Sequence, residues 1–336
     1  MTPDTPNWPG AVRAIDAAAS ILLVTHVNPD GDAIGSLLGL AAALRERGRR
    51  VDAAVDGGVP DFLAFLAGAD SVRDGLDAGE WDLMISLDAS DEARTGQAGA
   101  YGRAHSRAVM NVDHHPTNTF FGDIFLVLPE AVSTTEVLFR LLDHMRQPLS
   151  AEVATALLTG LVTDTLGFRT NNVTAATLRI AVALMEAGAP LREVIARTLN
   201  NKSYKVLLLW QRALASMTLH DQVIAASISQ EDLRSAGLAD ATDAGLSSFL
   251  VSAREAVIAV VFKELEDGRV ELSMRSKPGY DVASVALGLG GGGHVQAAGA
   301  TIDGPLPAAR ARVLALLQQV AQSGSAGLQP AETPLA

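Results

Sequence analysis

Short apolar runs that alternate with helix-like stretches dominate the first half of this chain of 336 residues. The strand-like runs lie at 21–26, 51–55, 83–88, 108–112 and 124–128. They are apolar over most of their length, which is typical of strands buried on both faces in a parallel sheet. The first half therefore predicts an α/β fold, a mainly parallel sheet with helices on both faces.

Helical patterns fill the spaces between these runs. They cover 33–47, the stretch from the capping box Ser133-Thr134-Thr135-Glu136 to about residue 145, 151–162, 174–187 and 203–219. In the second half, strand-like runs at 222–228, 256–264 and 269–275 alternate with helical patterns near 242–253, 280–287 and 306–322. Glu266-Asp267-Gly268 predicts a hairpin turn, so the second half indicates a smaller α/β domain.

The predicted domain organisation has four parts. They are a first domain at 10–187, a linker at 188–205, a second domain at 206–324 and a disordered tail at 325–336, which is rich in Ser, Gly and Pro.

Composition restricts the function. A formal net charge of −12 argues against non-specific binding of long DNA or RNA, because such binding depends on many Lys and Arg contacts to phosphate. The chain has no cysteine, which excludes disulfides and thiolate chemistry. The first residues lack a signal-peptide pattern and no apolar run is long enough to span a membrane, so we expect a cytoplasmic protein without a membrane partner.

Four separate segments place carboxylates or imidazoles at the ends of apolar elements. These are THVNPDGDAIGS (25–36), MISLDAS (84–90), MNVDHH (110–115) and LLTGLVTDTLGF (157–168). Ligands of open α/β sheets bind beyond the carboxyl ends of the strands, which is where the first three segments lie. Their candidate residues are His26, Asp30, Asp32, Asp88, Asp113, His114, His115 and Asp164.

Each segment alone has an ordinary structural explanation, because Asp is common in helix caps and turns. A calcium loop starting at Asp30 fails, since its twelfth position is Ala41 and not Glu. Four such sites together are better explained by metal binding. Asp and His without Cys favour Mn²⁺ or Mg²⁺ over structural zinc, and two such ions about 3.5–4 Å apart suit phosphoryl chemistry.

The order His26-x-x-x-Asp30-x-Asp32, Asp88, Asp113-His114-His115 and Asp164 resembles the four motifs of the DHH phosphoesterase superfamily. The resemblance implies that His26 and Asp30 bind one metal and that Asp88 bridges both. It implies that Asp32, His114 and Asp164 complete the second site. The expected cofactors are two divalent ions, Mn²⁺ first, with Mg²⁺ or Co²⁺ as alternatives.

The same resemblance gives His115 and Asp113 roles beside the metals. His115 is expected to face the substrate phosphate as a donor or general acid. Asp113 is expected to orient the neighbouring imidazoles.

A glycine run, GLGGGGHVQAAGAT (288–301), stands out in the second half. It contains a dinucleotide-binding spacing, but it follows a helical pattern rather than a first strand, so that interpretation is weak. Consecutive glycines expose backbone N–H groups to which a phosphate can come close. Upstream, Arg275 and Ser276 end a strand and could hold phosphate as well.

Arg275-Ser276 and the GGGH…AAG pattern resemble the DHH-associated C-terminal domain. The resemblance implies an active-site cleft between the two domains. It implies substrate binding by Arg275, Ser276, Gly291, Gly292, Gly293 and His294. Arg169 and Asn171, just beyond Asp164, are further candidates for substrate contact.

The two-domain layout resembles the nanoRNase (oligoribonuclease) and pAp phosphatase members of the superfamily. The implied substrates are RNA of a few nucleotides, cleaved to mononucleotides, and pAp, dephosphorylated to AMP, with linear dinucleotides as further substrates. The alternatives are a cyclic-di-AMP phosphodiesterase, a family II pyrophosphatase and a non-catalytic nucleotide sensor. Apolar helices in the first half are compatible with a homodimer.

Overall fold

The computed structural model describes residues 6–238 and 245–324. The chain divides into two compact units, Met1–Asn201 and Lys202–Ala336. The helices are α1 (Trp8–Ala17), α2 (Gly31–Glu46), α3 (Gly96–Ala104), α4 (Thr134–His144), α5 (Ala151–Asp164), α6 (Ala175–Glu186), α7 (Leu191–Thr198), α8 (Tyr204–Ala215), α9 (Gln230–Ala236), α10 (Leu246–Leu250), α11 (Ala283–Gly288) and α12 (Leu306–Gly324). The strands are β1 (Ser20–Thr25), β2 (Arg50–Ala54), β3 (Leu83–Leu87), β4 (Val109–Asp113), β5 (Ile124–Val127), β6 (Thr218–His220), β7 (Val223–Ile228), β8 (Ile258–Glu264), β9 (Val270–Ser276), β10 (Gly292–His294) and β11 (Ala297–Ile302).

The first unit contains a five-stranded sheet in the order β2-β1-β3-β4-β5, and every neighbouring pair is parallel. Thr25 at the end of β1 pairs with Leu87 at the end of β3, and Leu87 pairs with Val112 of β4. The three strands therefore end at one edge of the sheet. His26, Asp88 and Asp113 follow or complete them at that edge, so the predicted parallel sheet is confirmed.

Helices cover both faces of this sheet, as the apolar strands predicted. Along β1, Ile21 and Leu23 belong to the larger core cluster with α1, α2, α4 and α5. Leu22 and Val24 belong instead to a smaller cluster that includes Ala98 of α3. The alternation follows from the two-residue period of a strand, which sends successive side chains to opposite faces.

Helices α2 and α5 lie in close contact within the larger core. Residues Gly31–Leu44 of α2 are all buried, so this helix is covered on every side. The backbones come very close at Gly35, where a Cβ atom would lie only 2.5 Å from the carbonyl oxygen of Ala156. Any larger residue at position 35 would push α2 away from α5.

The second unit contains a six-stranded mixed sheet in the order β10-β11-β9-β8-β7-β6. Only β7 and β8 are parallel. The predicted hairpin at 266–268 is confirmed, because it joins the antiparallel strands β8 and β9. The unit is a smaller α/β domain, as the sequence indicated.

Several elements differ from the sequence prediction. The helix predicted at 203–219 ends at Ala215, because the Ser216 hydroxyl donates to the Ala213 carbonyl and accepts from the Ser227 N–H. Strand β6 follows. The predicted linker at 188–205 contains α7, and its Val194 is part of the first unit's core.

Other elements have no counterpart in the sequence prediction. Helices α1, α3 and α9 were not predicted, and the glycine run forms a hairpin of β10 and β11. The predicted disordered tail at 325–336 lies outside the described residues. Among the described helices, none has both the length and the apolar character needed to span a membrane.

Candidate metal centre

Six of the predicted ligands converge at the carboxyl edge of the parallel sheet. They form two groups, His26 with Asp30 and Asp88, and Asp32 with His114 and Asp164, and in each group the ligand atoms lie within 4.8 Å of one another. Asp88 also lies close to His114 and His115 in a third group, so it stands between the other two.

The separations in these groups suit cations held between the side chains. Asp88 Oδ2 lies 3.6 Å from His26 Nε2, and Asp88 Oδ1 lies 3.7 Å from His114 Nε2. His114 Nε2 lies 3.3 Å from Asp164 Oδ2. Ligand atoms that share one ion at about 2.1 Å in octahedral geometry are about 3 Å apart, close to these values.

Both proposed histidine ligands are fixed through the ring nitrogen remote from the carboxylates. Nδ1 of His26 lies 2.9 Å from the Val27 carbonyl oxygen, and Nδ1 of His114 lies 3.3 Å from that of Ala131. A carbonyl oxygen only accepts, so Nδ1 carries the proton and Nε2 presents its lone pair to the carboxylates. That tautomer is the one required for metal ligation, and the residues therefore fit a divalent ion.

The first turn of α4 holds two of the carboxylates. The backbone N–H groups of Thr134 and Thr135 donate to Asp32 Oδ2 and Oδ1 at 2.6 and 3.0 Å. The Thr134 hydroxyl donates to Asp88 Oδ1 at 2.9 Å. The sequence showed this segment only as a helix cap, which it also is, because Ser133 Oγ accepts from the Glu136 N–H.

A second buried network holds His115. Its Nδ1 lies 2.7 Å from Asp113 Oδ1. Asn118 donates to Asp113 Oδ2 and, at 2.8 Å, to Asn111 Oδ1. His115 Nδ1 also lies 3.7 Å from Asp88 Oδ1, which brings the ring nearer the ligands than the sequence alone indicated. Neither asparagine was predicted.

Comparisons with known proteins agree with this geometry. Residues 20–161 match the DHH family, N-terminal domain, and residues 220–323 match the DHHA1 domain. The bifunctional oligoribonuclease and PAP phosphatase NrnA of Thermus thermophilus is 34% identical over 311 residues, which are 90% of this chain and 91% of that protein. The chain belongs to the DHH family.

Two further relatives extend this result. The protein of the same name from Bacillus subtilis is 28% identical, with 87% of this chain and 92% of the relative covered. An exopolyphosphatase-related protein from Bacteroides fragilis superposes with a TM-score of 0.86 at 24% identity, covering 95% of this chain and 96% of the other. The latter likeness shows a shared fold.

The DHH domain concentrates negative charge where little water reaches it. Burial, together with the neighbouring Asp32 and Asp30, raises the pKa of Asp88 well above its ordinary value. The same causes raise the pKa of Asp164 well above its ordinary value. Burial also raises the pKa of Asp32. A divalent cation would relieve this repulsion, and each carboxylate is costly to ionise without one.

For two groups in the DHH domain, the pKa shifts in the direction opposite to the effect of burial. Burial would lower the pKa of His114, but the carboxylates of Asp88 and Asp32 raise it overall. Burial would raise the pKa of Asp113, but hydrogen bonds from His115 and Asn118 lower it overall. Asp113 is therefore held as a carboxylate, the form that best orients an imidazole.

Backbone geometry is unusual at Asp88, which belongs to two of these ligand groups. Asp88 has φ of 58°, in the left-handed region that non-glycine residues rarely adopt. Strain of this kind clusters at functional sites, where surrounding contacts maintain it. The Thr134 hydroxyl bond to Asp88 is one such contact.

In the DHHA1 domain, the predicted substrate residues lie on β9 and at β10, with β11 between these two strands. Ala297 of β11 pairs with Arg275 of β9 on one side and with His294 of β10 on the other. Directly paired residues share a face of the sheet, so Arg275 and His294 lie on one face, about 10 Å apart between Cα atoms. The glycines Gly292 and Gly293 are within β10.

Two other candidates are engaged within the fold. The Ser276 hydroxyl donates its hydrogen to the Tyr280 carbonyl at 2.6 Å, so it can offer a ligand only its acceptor lone pairs unless it rotates. Arg169 is exposed and its Nε donates to the Leu166 carbonyl. Its remaining guanidinium hydrogens could still contact an anion.

Proposed function

We propose that this protein is a cytoplasmic, divalent-metal-dependent phosphoesterase that cleaves short RNA oligonucleotides to mononucleotides and converts pAp to AMP. The single observation that carries the proposal is the position of Asp88, which lies in one group with His26 and Asp30 and also beside His114 of the second proposed ligand set. Two ions bound next to each other can contact both the attacking and the leaving oxygen of a displacement at phosphorus.

The proposed ligands divide between two ions. His26 and Asp30 would hold one, Asp32, His114 and Asp164 would hold the other, and Asp88 would contribute to both. The ions would supply Lewis-acid stabilisation of phosphoryl charge and would make water acidic enough to act as a nucleophile near neutral pH. The hard oxygen and imidazole donors favour Mn²⁺, with Mg²⁺ or Co²⁺ as alternatives.

The side chains beside the ligands handle the proton of the leaving group. Hydrolysis joins a water oxygen to phosphorus and breaks the bond from phosphorus to the sugar oxygen, which must gain a proton. His115 supplies that proton, and Asp113 fixes the ring through its 2.7 Å contact with Nδ1. Asp113 also stabilises the protonated imidazole, since its own pKa is lowered and it remains ionised.

Substrate selection rests on the DHHA1 domain. Arg275, His294 and the backbone of Gly291–Gly293 bind the phosphate or base at the other end of a short substrate, with Arg169 as an additional contact. The net charge of −12 suits substrates of a few nucleotides, which need few cationic contacts. The names of the Thermus and Bacillus relatives, which specify oligoribonuclease and PAP phosphatase activity, support this choice.

Activity assays on metal-stripped protein test the proposal. The protein is treated with EDTA, reloaded with Mn²⁺, Mg²⁺ or Co²⁺, and offered a 5′-labelled RNA trimer, pAp, cyclic-di-AMP and pyrophosphate. We expect mononucleotides from the trimer and AMP from pAp, both dependent on added metal. Hydrolysis of pyrophosphate alone, of cyclic-di-AMP alone, or of none of the four would refute the proposed function.

An Asp88→Ala variant tests the bridging role directly. We expect it to lose activity by several orders of magnitude, because both ions lose a shared ligand. Asp70→Ala, which removes an exposed carboxylate, is the matched control and should retain full activity. Near-normal turnover by Asp88→Ala would contradict the two-metal assignment.

A further inference from the structure

The turn that follows helix α5 has an unusual backbone. Leu166 and Phe168 have φ of 50° and 64°, on either side of Gly167 at 75°. Glycine is the residue that adopts this left-handed region routinely, because in other residues the Cβ atom crowds the following carbonyl oxygen. The strained turn begins two residues after the proposed ligand Asp164. Backbone strain clusters at functional sites, so the turn is a candidate for a role in substrate binding.

Leu166 occupies a position at which a glycine would serve the helix better. Its N–H donates to the Thr163 carbonyl at 3.1 Å, and the Gly167 N–H donates to the Val162 carbonyl at 2.8 Å. This pair of bonds closes many helices, usually with glycine in the place of Leu166. Helix α6 ends with the same bonds and has left-handed Gly188 at that position. The end of α5 therefore does not require a leucine side chain.

The side chains of this turn have different surroundings. Phe168 is partly buried and packs against the larger core. Leu166 is 39% exposed and belongs to none of the core clusters found among the described residues. Its carbonyl oxygen accepts from Arg169 Nε at 2.6 Å, which holds an exposed guanidinium group on the same turn. An apolar side chain beside a cation suits a nucleotide, which has both an apolar ring face and a phosphate.

The turn lies at an open side of the candidate metal centre. The side chain of Asp164 is 30% exposed, whereas those of Asp88 and Asp32 are only 3% and 1% exposed. A substrate can therefore reach the centre beside Asp164. The Cα atom of Leu166 lies within about 7 Å of that of Asp164, because two residues separate them. Leu166 is thus at the rim of the centre, where a substrate would enter.

We propose that Leu166 is a substrate-binding residue whose exposed side chain packs against the base of a nucleotide held at the metal centre. This inference rests on the proposed function, and it adds an apolar contact in the DHH domain to the phosphate contacts already assigned. Arg169 contacts a phosphate of the same substrate. The strain at the end of α5 persists because the leucine side chain contacts the substrate, which glycine could not do.

Steady-state assays of Leu166→Gly with an RNA trimer and saturating Mn²⁺ test this assignment on the full-length protein. We expect KM to rise about tenfold with kcat little changed, because the lost contact binds the substrate without entering the chemical step. The variant should melt within a few degrees of the wild type, since relief of the strain offsets the loss of a partly exposed side chain. Misfolding would then not explain the change in KM.

Two further variants are controls. Leu166→Met retains an apolar side chain and should have a KM within about twofold of the wild-type value. Arg146 is exposed, has φ of 52° and follows α4, a helix of 11 residues that is about 16 Å long and has Thr134 at its other end. Arg146→Gly therefore relieves the same kind of strain far from the metal centre, and it should leave KM unchanged.

Trimers that lack the base of their first, second or third nucleotide identify the group that Leu166 contacts. In the wild type, removal of one of these bases should raise KM about tenfold. In Leu166→Gly, removal of that same base should have little further effect, because the contact is already missing.

Two results would overturn this inference and leave the proposed function intact. One is an unchanged KM of Leu166→Gly for the intact trimer. The other is base removal that weakens binding equally in the wild type and the variant at every position. If the wild-type protein hydrolysed no RNA at all, the proposed function would be refuted, and this inference with it.

Discussion

Replacement of Thr134 by valine removes one hydrogen bond at the proposed bridging ligand and little else. The Thr134 hydroxyl donates to Asp88 Oδ1 at 2.9 Å, while its backbone N–H donates to Asp32 Oδ2. Valine has nearly the shape of threonine and retains the backbone N–H. Thr134→Val therefore leaves Asp32 supported and deprives Asp88 of its side-chain donor.

The size of the effect follows from the charge of the acceptor. Hydrogen bonds to charged groups contribute about 1.5–3 kcal/mol, and each 1.4 kcal/mol is about tenfold in affinity. Loss of a partner that orients a metal ligand typically costs about 10–100-fold in metal affinity. We therefore expect the Mn²⁺ concentration for half-maximal activity to rise about 10–100-fold in Thr134→Val, with most of the activity recovered at saturation.

Calorimetric Mn²⁺ titrations and activity titrations of metal-stripped protein measure this effect. Thr134→Ser retains the hydroxyl and should behave like the wild type, which separates hydrogen bonding from packing. In EDTA, Thr134→Ser should melt like the wild type, whereas Thr134→Val should melt somewhat lower, because the bond to buried Asp88 is also missing from the metal-free protein. Helix α4 should remain folded in both variants, because its capping contact is made by Ser133. If Thr134→Val binds Mn²⁺ as tightly as wild type, the Thr134 hydroxyl does not support Asp88.

Three further outcomes are expected. The metal-free protein should become more stable as pH falls from neutral toward 3.8, the ordinary pKa of an aspartate carboxyl group. The reason is that the pKa values of Asp88 and Asp164 are raised, so the folded state takes up protons at a higher pH than the unfolded state. A melting temperature in EDTA that stays flat or falls over that pH range would contradict this. Asn118→Ala should lower kcat more than it raises KM, because Asp113 loses a donor and His115 its alignment, and an unchanged kcat would exclude that role. His294→Ala should mainly raise KM for pAp, in steady-state assays at saturating Mn²⁺, whereas a loss confined to kcat would place His294 in the chemical step.

The metal-site residues could be proposed from the sequence because each one is marked locally. His26, Asp88 and Asp113 directly follow or end apolar runs, and a parallel sheet brings such positions to one edge. Thr134 could not be found in this way. It supports Asp32 from 102 residues away, and nothing near it in sequence distinguishes this role from ordinary capping.

The glycine run illustrates another limit of the sequence. Glycine disfavours strands, so GLGGGGH indicates a loop when it is considered alone. In the structure, Gly292 pairs with Gly299 and Gly293 with Ala298, and β11 pairs in turn with β9. The segment becomes strand β10 because it hydrogen-bonds to the backbone of β11 at the edge of the sheet. Residue propensities within the segment do not predict such a long-range pairing.

The contact between α2 and α5 limits how this protein can be stabilised by engineering. Glycine-to-alanine changes inside helices commonly stabilise proteins, because alanine restricts the unfolded chain. Here a Cβ at Gly160 would lie 2.5 Å from Asp32 Oδ1, and one at Gly35 would lie equally close to the α5 backbone. Since Asp32 begins α2 and Asp164 ends α5, widening the helix pair would spread the carboxylates. Thermostable variants should therefore be sought at surface positions, with these two glycines left unchanged.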